Sequence, residues 1–276
     1  MERVLLKAHV KGYVKKDGTV VKGHERAGGP QKVLFPAAHV HAPQYGFGLL
    51  GGLFGGAAGK PGAFHAPIGV PHPAPGESGE EVLIRHPSTP TPEVTWADPH
   101  AVAVFVPGGP VPAALHGVPL APWVDHPEDE AGWDYVDGQL DDLDEPPLRV
   151  PLGKKVSSGV VIEEPDGRVW LVSPTNAYGG YKTTYPKGTA EEDLSLQANA
   201  IKEAFEETGL KVEITGFLGD FERGTSVARV YRARRVGGSP AAMGWESQDV
   251  RLVPRSALAK EAASAADAPI NDLLKT

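Results

Sequence analysis

Hydrophobic and polar positions follow regular patterns in the second half of the chain and rarely do so in the first half. Val156–Ile162 and Val169–Val172 are β-rich runs on either side of the sequence Glu-Pro-Asp-Gly at 164–167. An Asp-Gly pair between two such runs is typical of a tight hairpin turn. Three further strands are predicted by similar runs, at Lys211–Leu218, Ser226–Arg234 and Val250–Val253.

One long helix is predicted between these strands. Apolar residues at helical spacing run from about Leu194 to Thr208, and Gly209 follows as a left-handed cap. A final helix is predicted to begin near Pro254. Strands on both sides of one central helix, with another helix at the end, indicate an α+β fold rather than alternating βα units.

The first part of the chain is rich in residues that interrupt regular structure. Residues 1–150 hold 20 of the 27 prolines, 21 of the 34 glycines and all ten histidines. Within residues 8–24 a β-hairpin is predicted around Lys-Asp-Gly at 16–18, and its basic residues suit either a docking patch or a solvated surface. From Ala27 to Pro92 the prolines exclude long helices, so we expect a linker or an irregular region.

Residues 93–150 contain two short apolar runs and one acidic run. The run at 101–106 predicts a short buried strand, and Leu115–Trp123 predicts a segment that covers the fold. Residues 125–146 carry ten carboxylates without the spacing of a calcium loop, so we expect a solvated acidic connector. The predicted divisions are a basic β-hairpin (1–26), a Gly/Pro-rich linker or irregular region (27–92), a small covering segment with an acidic connector (93–150) and an α+β domain (151–276).

Composition excludes several classes of protein. A net charge of −8 and a pI near 5.7 argue against nucleic-acid binding, because no overall positive field attracts a polyanion. The absence of cysteine excludes disulfides, thiolate zinc sites and a cysteine nucleophile, and it suits a reducing cytoplasm. No apolar run approaches the roughly 18 residues of a membrane span. We expect a cytoplasmic protein that binds a small molecule and no membrane.

Three glutamates share one face of the predicted central helix. With Glu203 at 0° on a wheel of about 100° per residue, Glu206 lies near −60° and Glu207 near +40°. Like charges at this spacing oppose each other, and the helix dipole adds a penalty near the C-terminus. The pattern therefore suits either a bound cation or an ordinary acidic solvent face. Oxygen ligands, with no histidine after residue 126, favour magnesium or manganese over zinc.

The segment 188–210 resembles the signature box of the Nudix hydrolases. That box reads Gly, five residues, Glu, seven residues, Arg-Glu, an aliphatic residue, one residue, Glu-Glu, one residue, Gly and an aliphatic residue. Six positions fall in register: Gly188, Glu203, Glu206, Glu207, Gly209 and Leu210. The resemblance extends over roughly residues 150–270. It implies a Nudix-like mixed β-sheet flanked by helices, preceded here by the Gly/Pro-rich, partly irregular N-terminal region with its β-hairpin.

Two positions depart from the box. Leu194 stands in place of the first glutamate of the box, and Lys202 stands in place of its arginine. In the family, that glutamate and arginine help to hold the loop and the helix together. Their joint change is either a compensated loss of one ion pair or the mark of a decayed site. Glu191 or Glu192 is a further source of a carboxylate from the loop. Because the three helical glutamates are kept, we expect an active enzyme. The alternative is a catalytically weak nucleotide-binding domain in a phage or mobile-element interaction protein.

The resemblance implies hydrolysis of a nucleoside diphosphate linked to another group, with ADP-ribose or a nucleotide sugar as the expected substrate. It assigns Mg²⁺ or Mn²⁺ to Glu203, Glu206 and Glu207. The same reading gives catalytic roles to Glu206, Glu207 and the loop residue Glu246. Five residues are expected to bind substrate: Lys182, Lys187, Gly188, Tyr181 and Trp245. Both a monomer and a homodimer stay open.

Overall fold

The computed structural model describes residues 69–275 and five short strands nearer the N-terminus, for which only the backbone pairing is described. These strands are β1 (Glu2–Leu5), β2 (Lys7–Val10), β3 (Tyr13–Val14), β4 (Val20–Val21) and β5 (His24–Ala27). Antiparallel pairing of β2 with β5 and of β3 with β4 confirms the predicted hairpin. The predicted docking patch depends on side chains outside the described ones. Most of the predicted linker or irregular region at 27–92 also lies outside the described residues.

The other strands and helices all lie between residues 70 and 273. The strands are β6 (Val70–Pro71), β7 (Leu83–Ile84), β8 (Ala103–Phe105), β9 (Ala114–Leu115), β10 (Val118–Pro119), β11 (Leu148–Pro151), β12 (Lys155–Glu163), β13 (Val169–Pro174), β14 (Lys187–Thr189), β15 (Leu210–Glu222), β16 (Ser226–Gly238) and β17 (Ser247–Val253). The helices are α1 (Val94–Ala97), α2 (Glu130–Asp134), α3 (Leu196–Thr208), α4 (Leu258–Glu261) and α5 (Ala268–Leu273). None of the helices described here has the length and apolar character needed to cross a bilayer.

The main sheet is mixed and has the strand order β15-β16-β12-β13-β17-β8. Only β12 and β16 run parallel, and the other neighbours are antiparallel. Strand β12 changes partner along its length, since residues 157–159 pair with β14 and residues 162–163 pair with β13. This split brings Lys187 and Gly188 into the middle of the sheet.

Alternating side chains of the sheet bury two hydrophobic clusters, one on each face. Val160 and Ile162 belong to the cluster that contains Ile201 of α3, whereas Val161 belongs to the cluster that contains Ile270 of α5. The sheet therefore lies between α3 on one face and the C-terminal helices on the other. This arrangement confirms the α+β fold with a mixed sheet flanked by helices.

Helix α3 ends where the sequence predicts and begins two residues later than predicted. Ser195 is the N-cap and accepts a hydrogen bond from the Ala198 backbone N–H at 2.9 Å. Gly209 ends the helix with a φ of 70°, and its N–H donates to the Phe205 carbonyl. Leu194 precedes the cap and packs into the core.

The single C-terminal helix predicted from Pro254 is wrong. A short 3-10 turn at Arg255–Ala257 leads into α4, and α5 begins only at Ala268. Pro269 has no backbone N–H, so it fits the first turn of α5 but not the interior of one helix that runs on from Pro254.

The prediction of a solvated acidic connector at 125–146 is wrong in part. Trp133 of α2 is buried, with its ring centroid 5.9 Å from that of Trp123 and 5.9 Å from that of Phe205 on α3. The Glu145 carboxylate accepts hydrogen bonds from Arg229 at 2.9 Å and from the Tyr231 hydroxyl at 3.0 Å. Trp133 and Glu145 attach the segment to α3 and the sheet. The many carboxylates around them make these contacts hard to predict from the sequence.

We expect Trp133→Ala to lower the free energy of unfolding by about 3–5 kcal/mol, because it leaves a cavity between α2 and α3. Urea unfolding of the full chain measures the change. Val124→Ala is the matched control, since Val124 is 88% exposed in the same segment. A loss below about 0.5 kcal/mol for Trp133→Ala would instead indicate a solvated connector.

Candidate active site

The three glutamates of α3 lie in different surroundings. Glu203 and Glu207 are buried, whereas Glu206 is exposed. Glu203 lies against β14, where a Cβ built on Gly188 would overlap its carboxylate. Glycine at 188 is therefore required for the close approach of α3 to the strand, which is a structural reason for this position that the sequence pattern alone does not show.

Burial and like charge act together on this helix. Burial, and then the charges of Glu207 and Glu206, raise the pKa of Glu203 to about 9. Among the described residues no hydrogen-bond donor or ion-pair partner contacts the Glu203 carboxylate. Burial also raises the pKa of Glu207 to about 7, although the Lys187 side chain and backbone N–H work against this, the latter donating to Glu207 Oε2 at 2.8 Å. Without a bound cation, the site thus disfavours full ionisation of its carboxylates.

Lys202 explains both departures from the signature box. Its Nζ lies 2.7 Å from Glu191 Oε1 and 2.9 Å from Glu206 Oε1. Burial opposes the charged form, but the hydrogen bonds to these two carboxylates raise the pKa of Lys202 overall. An ion pair between loop and helix is therefore present, with Glu191 as the loop partner, while Leu194 packs into the core. This geometry supports a compensated change rather than decay.

The three helical carboxylates do not converge on one point in the structure. Within residues 69–275, no three His, Asp or Glu side chains are gathered closely enough to hold a metal ion. Glu206 turns to Lys202, Glu207 accepts from the Lys187 N–H, and Glu203 faces Gly188. Glu206 is the exposed side chain of the three. Its rotation towards Glu203 is therefore the easiest movement that would bring these carboxylates together.

The loop that carries Glu246 is fixed to the C-terminal end of α3. The Gly244 N–H donates to the Glu206 carbonyl at 2.7 Å. Thr175 donates its N–H to the Glu246 carbonyl and its hydroxyl to the Trp245 carbonyl, both at 2.7 Å. Desolvation and the charges of Glu206 and Glu77 raise the pKa of Glu246. The structure thus brings Glu246 close to the glutamates of α3.

The other predicted site residues are divided between two places. The Lys187 ammonium lies 4.7 Å from the centroid of the Tyr181 ring, beside the Gly188 backbone. The Arg223 guanidinium lies 6.0 Å from the same ring, so Tyr181 already has two cationic neighbours. Trp245 is half-buried beside Glu246. Lys182 is exposed and has no hydrogen bond or ion pair with any residue in the described part of the chain.

Two residues that shape the site carry no signal in the local sequence, because the partner of each is distant along the chain. Thr175 holds the Glu246 loop, and Arg223 pairs with the buried Asp267 at 2.8 Å. Glu191 is one of the two loop carboxylates that the sequence offers, and the structure pairs it with Lys202. The Lys202 replacement in the box is the sequence signal for this pairing.

In metal-free protein we expect stability to fall as pH rises from about 4.5 to about 9. The folded state keeps the Glu203 proton in this window while the unfolded state releases it, so the slope is negative, about 1.4 kcal/mol per pH unit for one such proton. Glu203→Gln removes this group, so its urea-unfolding free energy should fall less between pH 6 and pH 8 in EDTA. Glu213→Gln, a pair partner of the exposed Arg234, is the control. Parallel curves for Glu203→Gln and wild type would contradict the burial of this charge.

Comparison with protein families agrees with the signature box. The family model described as NUDIX domain matches residues 153–274. Similar solved structures include a NUDIX hydrolase from Nitrosomonas europaea (26% identity, 47% of this chain, 72% of that chain, TM-score 0.38) and an ADP-ribose pyrophosphatase from Streptococcus suis (19%, 44%, 90%, 0.36). A C. elegans Ap4A hydrolase is also similar (19%, 43%, 92%, 0.35). No curated protein matches the chain significantly. Residues 153–274 of this chain therefore match the NUDIX domain family.

Proposed function

We propose that the protein hydrolyses a nucleoside diphosphate linked to another group, with a divalent metal ion held by Glu203, Glu206 and Glu207. The observation that carries this proposal is the buried Glu203 carboxylate, whose pKa the charges of Glu207 and Glu206 raise further and which forms no direct ion pair with a cation of the described residues. A site that concentrates carboxylates in this way is suited to bind a cation. The NUDIX match over residues 153–274 supports the same reaction class.

The chemistry of the donors fits Mg²⁺ or Mn²⁺. All three side chains supply hard oxygen ligands, which suit these ions better than they suit zinc, and the chain has no cysteine. When bound, the ion neutralises charge on the pyrophosphate and acidifies water. Glu206 would exchange Lys202 for the metal, and Lys202 would keep its pair with Glu191.

The positive groups at β14 suit the phosphates of the substrate. Lys187 lies close enough to Glu207 to oppose the rise in its pKa, so its ammonium borders the carboxylate site. An anionic pyrophosphate beside α3 would meet this ammonium. ADP-ribose or a nucleotide sugar is the proposed substrate class, because the Gly-Gly-Tyr-Lys segment at 179–182 and the Trp-Glu-Ser-Gln segment at 245–248 resemble those of family members that act on such compounds.

Glu246 is the proposed general base. A carboxylate with a raised pKa is a better proton acceptor near neutral pH than an ordinary glutamate. Its loop is fixed directly on the end of α3, so a water molecule between Glu246 and the α3 carboxylates would have an acceptor for its proton. The proton would move to a Glu246 carboxylate oxygen as the water oxygen bonds to one phosphorus, and the bond from that phosphorus to the bridging oxygen of the pyrophosphate would break, with the bridging oxygen leaving on the other phosphate.

The rival function is nucleotide binding without efficient turnover. It is motivated by Leu194 and Lys202, the two departures from the box. The pairing of Lys202 with Glu191 preserves a link between loop and helix, so the structural cost of the departures is offset. This observation favours the enzyme. A homodimer, a cytoplasmic location and docking through residues 1–26 stay predictions.

We expect wild-type protein with Mg²⁺ to release a nucleoside monophosphate from at least one compound in a panel of nucleoside diphosphate sugars, including ADP-ribose. Glu206→Gln should lower kcat by at least about 100-fold, because it removes a charged metal ligand. Glu213→Gln, on the sheet away from α3, should leave kcat unchanged.

Chromatographic detection of the monophosphate separates the two functions. Binding of a nucleotide without turnover of any compound would support the weak-binder alternative. Equal turnover by wild type and Glu206→Gln would overturn the assignment of the helical glutamates.

A further inference from the structure

The backbone of the loop at 244–247 is fixed by hydrogen bonds, since each of its four successive carbonyls accepts one. The Gly244 carbonyl accepts from the Ser247 N–H at 3.3 Å, a contact within the loop. The carbonyls of Trp245 and Glu246 accept from Thr175. The Ser247 carbonyl lies 3.0 Å from His72 Nε2. Of these donors, only His72 lies outside the NUDIX domain.

The contacts of His72 involve both ring nitrogens. A carbonyl oxygen can only accept, so the hydrogen bond to Ser247 is made with hydrogen on Nε2. Nδ1 lies 3.0 Å from the Ala74 backbone nitrogen and 3.1 Å from the Ala74 carbonyl oxygen, and it accepts from the Ala74 N–H in the tautomer that carries hydrogen on Nε2. Burial lowers the pKa of His72, in agreement with the neutral form. The side chain is 6% exposed, so the ring is held in one orientation by its surroundings.

His72 belongs to a segment, residues 69–88, that runs beside the loop and the start of β17. The Asn176 side chain donates to the Leu83 carbonyl and accepts from the Arg85 N–H, both at 2.8 Å. Gln248 donates to the His86 carbonyl at 3.0 Å. The segment therefore contacts Ser247 and Gln248, which follow Glu246, and Asn176, which follows the loop-holding Thr175.

The turn that carries Asn176 combines its contacts to segment 69–88 with backbone strain. Its φ of 57° and that of Ala177, 56°, lie in the left-handed region that residues other than glycine seldom adopt. Such strain persists only where surrounding contacts over-determine it. Here the contacts are the two hydrogen bonds to segment 69–88 and a third from the Asn176 N–H to Gln248 Oε1 at 3.0 Å. The strained turn and the segment thus depend on each other.

We propose that segment 69–88, which precedes the NUDIX domain, is part of its active site and that His72 is the positioning residue that holds the Glu246 loop in place through the Ser247 carbonyl. The inference rests on the proposed function for its effect on turnover. The contact that it requires is independent of turnover. His72 acts on the loop backbone and touches neither metal nor substrate.

The structural half of the proposal is tested by hydrogen exchange in the full chain without substrate or metal. His72→Ala should raise exchange of backbone amides in residues 244–248 by about 5–10-fold, the effect of losing one hydrogen bond. Amides of α3 before Glu206 should be unchanged. His72→Gln, which can place an amide N–H near the position of Nε2, should restore protection. His86→Ala, an exposed histidine of the same segment, is the matched control.

The catalytic half is tested by a double-mutant cycle. His72→Ala should lower kcat about 5–10-fold with KM unchanged, and His72→Gln should recover most of the loss. In a Glu246→Gln background, His72→Ala should have no further effect, because the base that it positions is already removed. The urea midpoint of each variant is measured first. A variant that unfolds at a lower urea concentration than wild type is compared with wild type under conditions below its own midpoint.

The outcomes separate this inference from the proposed function. Unchanged exchange at residues 244–248 in His72→Ala overturns the inference, whether or not the wild type is active. Raised exchange confirms the contact even if the wild type hydrolyses no compound, in which case only the proposed function fails. Additive losses in the double mutant, or a rise in KM with kcat unchanged, overturn the positioning role.

Discussion

The crowding of Glu203, Glu206 and Glu207 on one helix is the constraint to which the rest of the site responds. A buried carboxylate is costly unless it is paired or shares its charge with a cation. Gly188 gives Glu203 room by carrying no side chain, and the Lys187 N–H donates to Glu207. The change of partner along β12 places Lys187 and Gly188 of β14 beside α3. The topology of the sheet therefore positions the residues that contact the α3 glutamates.

Arginines join the first half of the described chain to the sheet. Arg168 donates to the Trp96 carbonyl at 2.5 Å, and Arg235 donates to the Leu115 carbonyl at 2.8 Å. Arg229 pairs with Glu145, which also accepts from the Gln197 side chain of α3. Buried guanidinium groups with several acceptors cost desolvation but fix position, since removing one partner leaves an uncompensated charge. Residues before 150 thus cover the sheet through specific polar contacts as well as through the hydrophobic cluster they share with α3.

The fold of the second half is largely predictable from the sequence, because its strands are β-rich runs bounded by turn residues and α3 has both a cap and a helical stripe. The face of α3 that holds the glutamates is equally readable, since helical spacing alone determines it. The contacts of Trp133, Lys202 and His72 are not. A tryptophan among carboxylates, a lysine at an arginine position and a lone histidine each gain meaning only from a partner that tertiary structure supplies. Pro269 is the exception, because its lack of an N–H could have signalled that the last helix is broken.

The claim on which the account depends is that the carboxylates of α3 hold a cation. The most direct measurement is the anomalous difference density of a crystal of the full chain soaked in Mn²⁺. The account predicts a peak within about 2.3 Å of oxygens from Glu203, Glu206 and Glu207, with Glu206 turned away from Lys202. Manganese bound elsewhere, with the Glu206–Lys202 pair intact and no density beside Glu203, would contradict it.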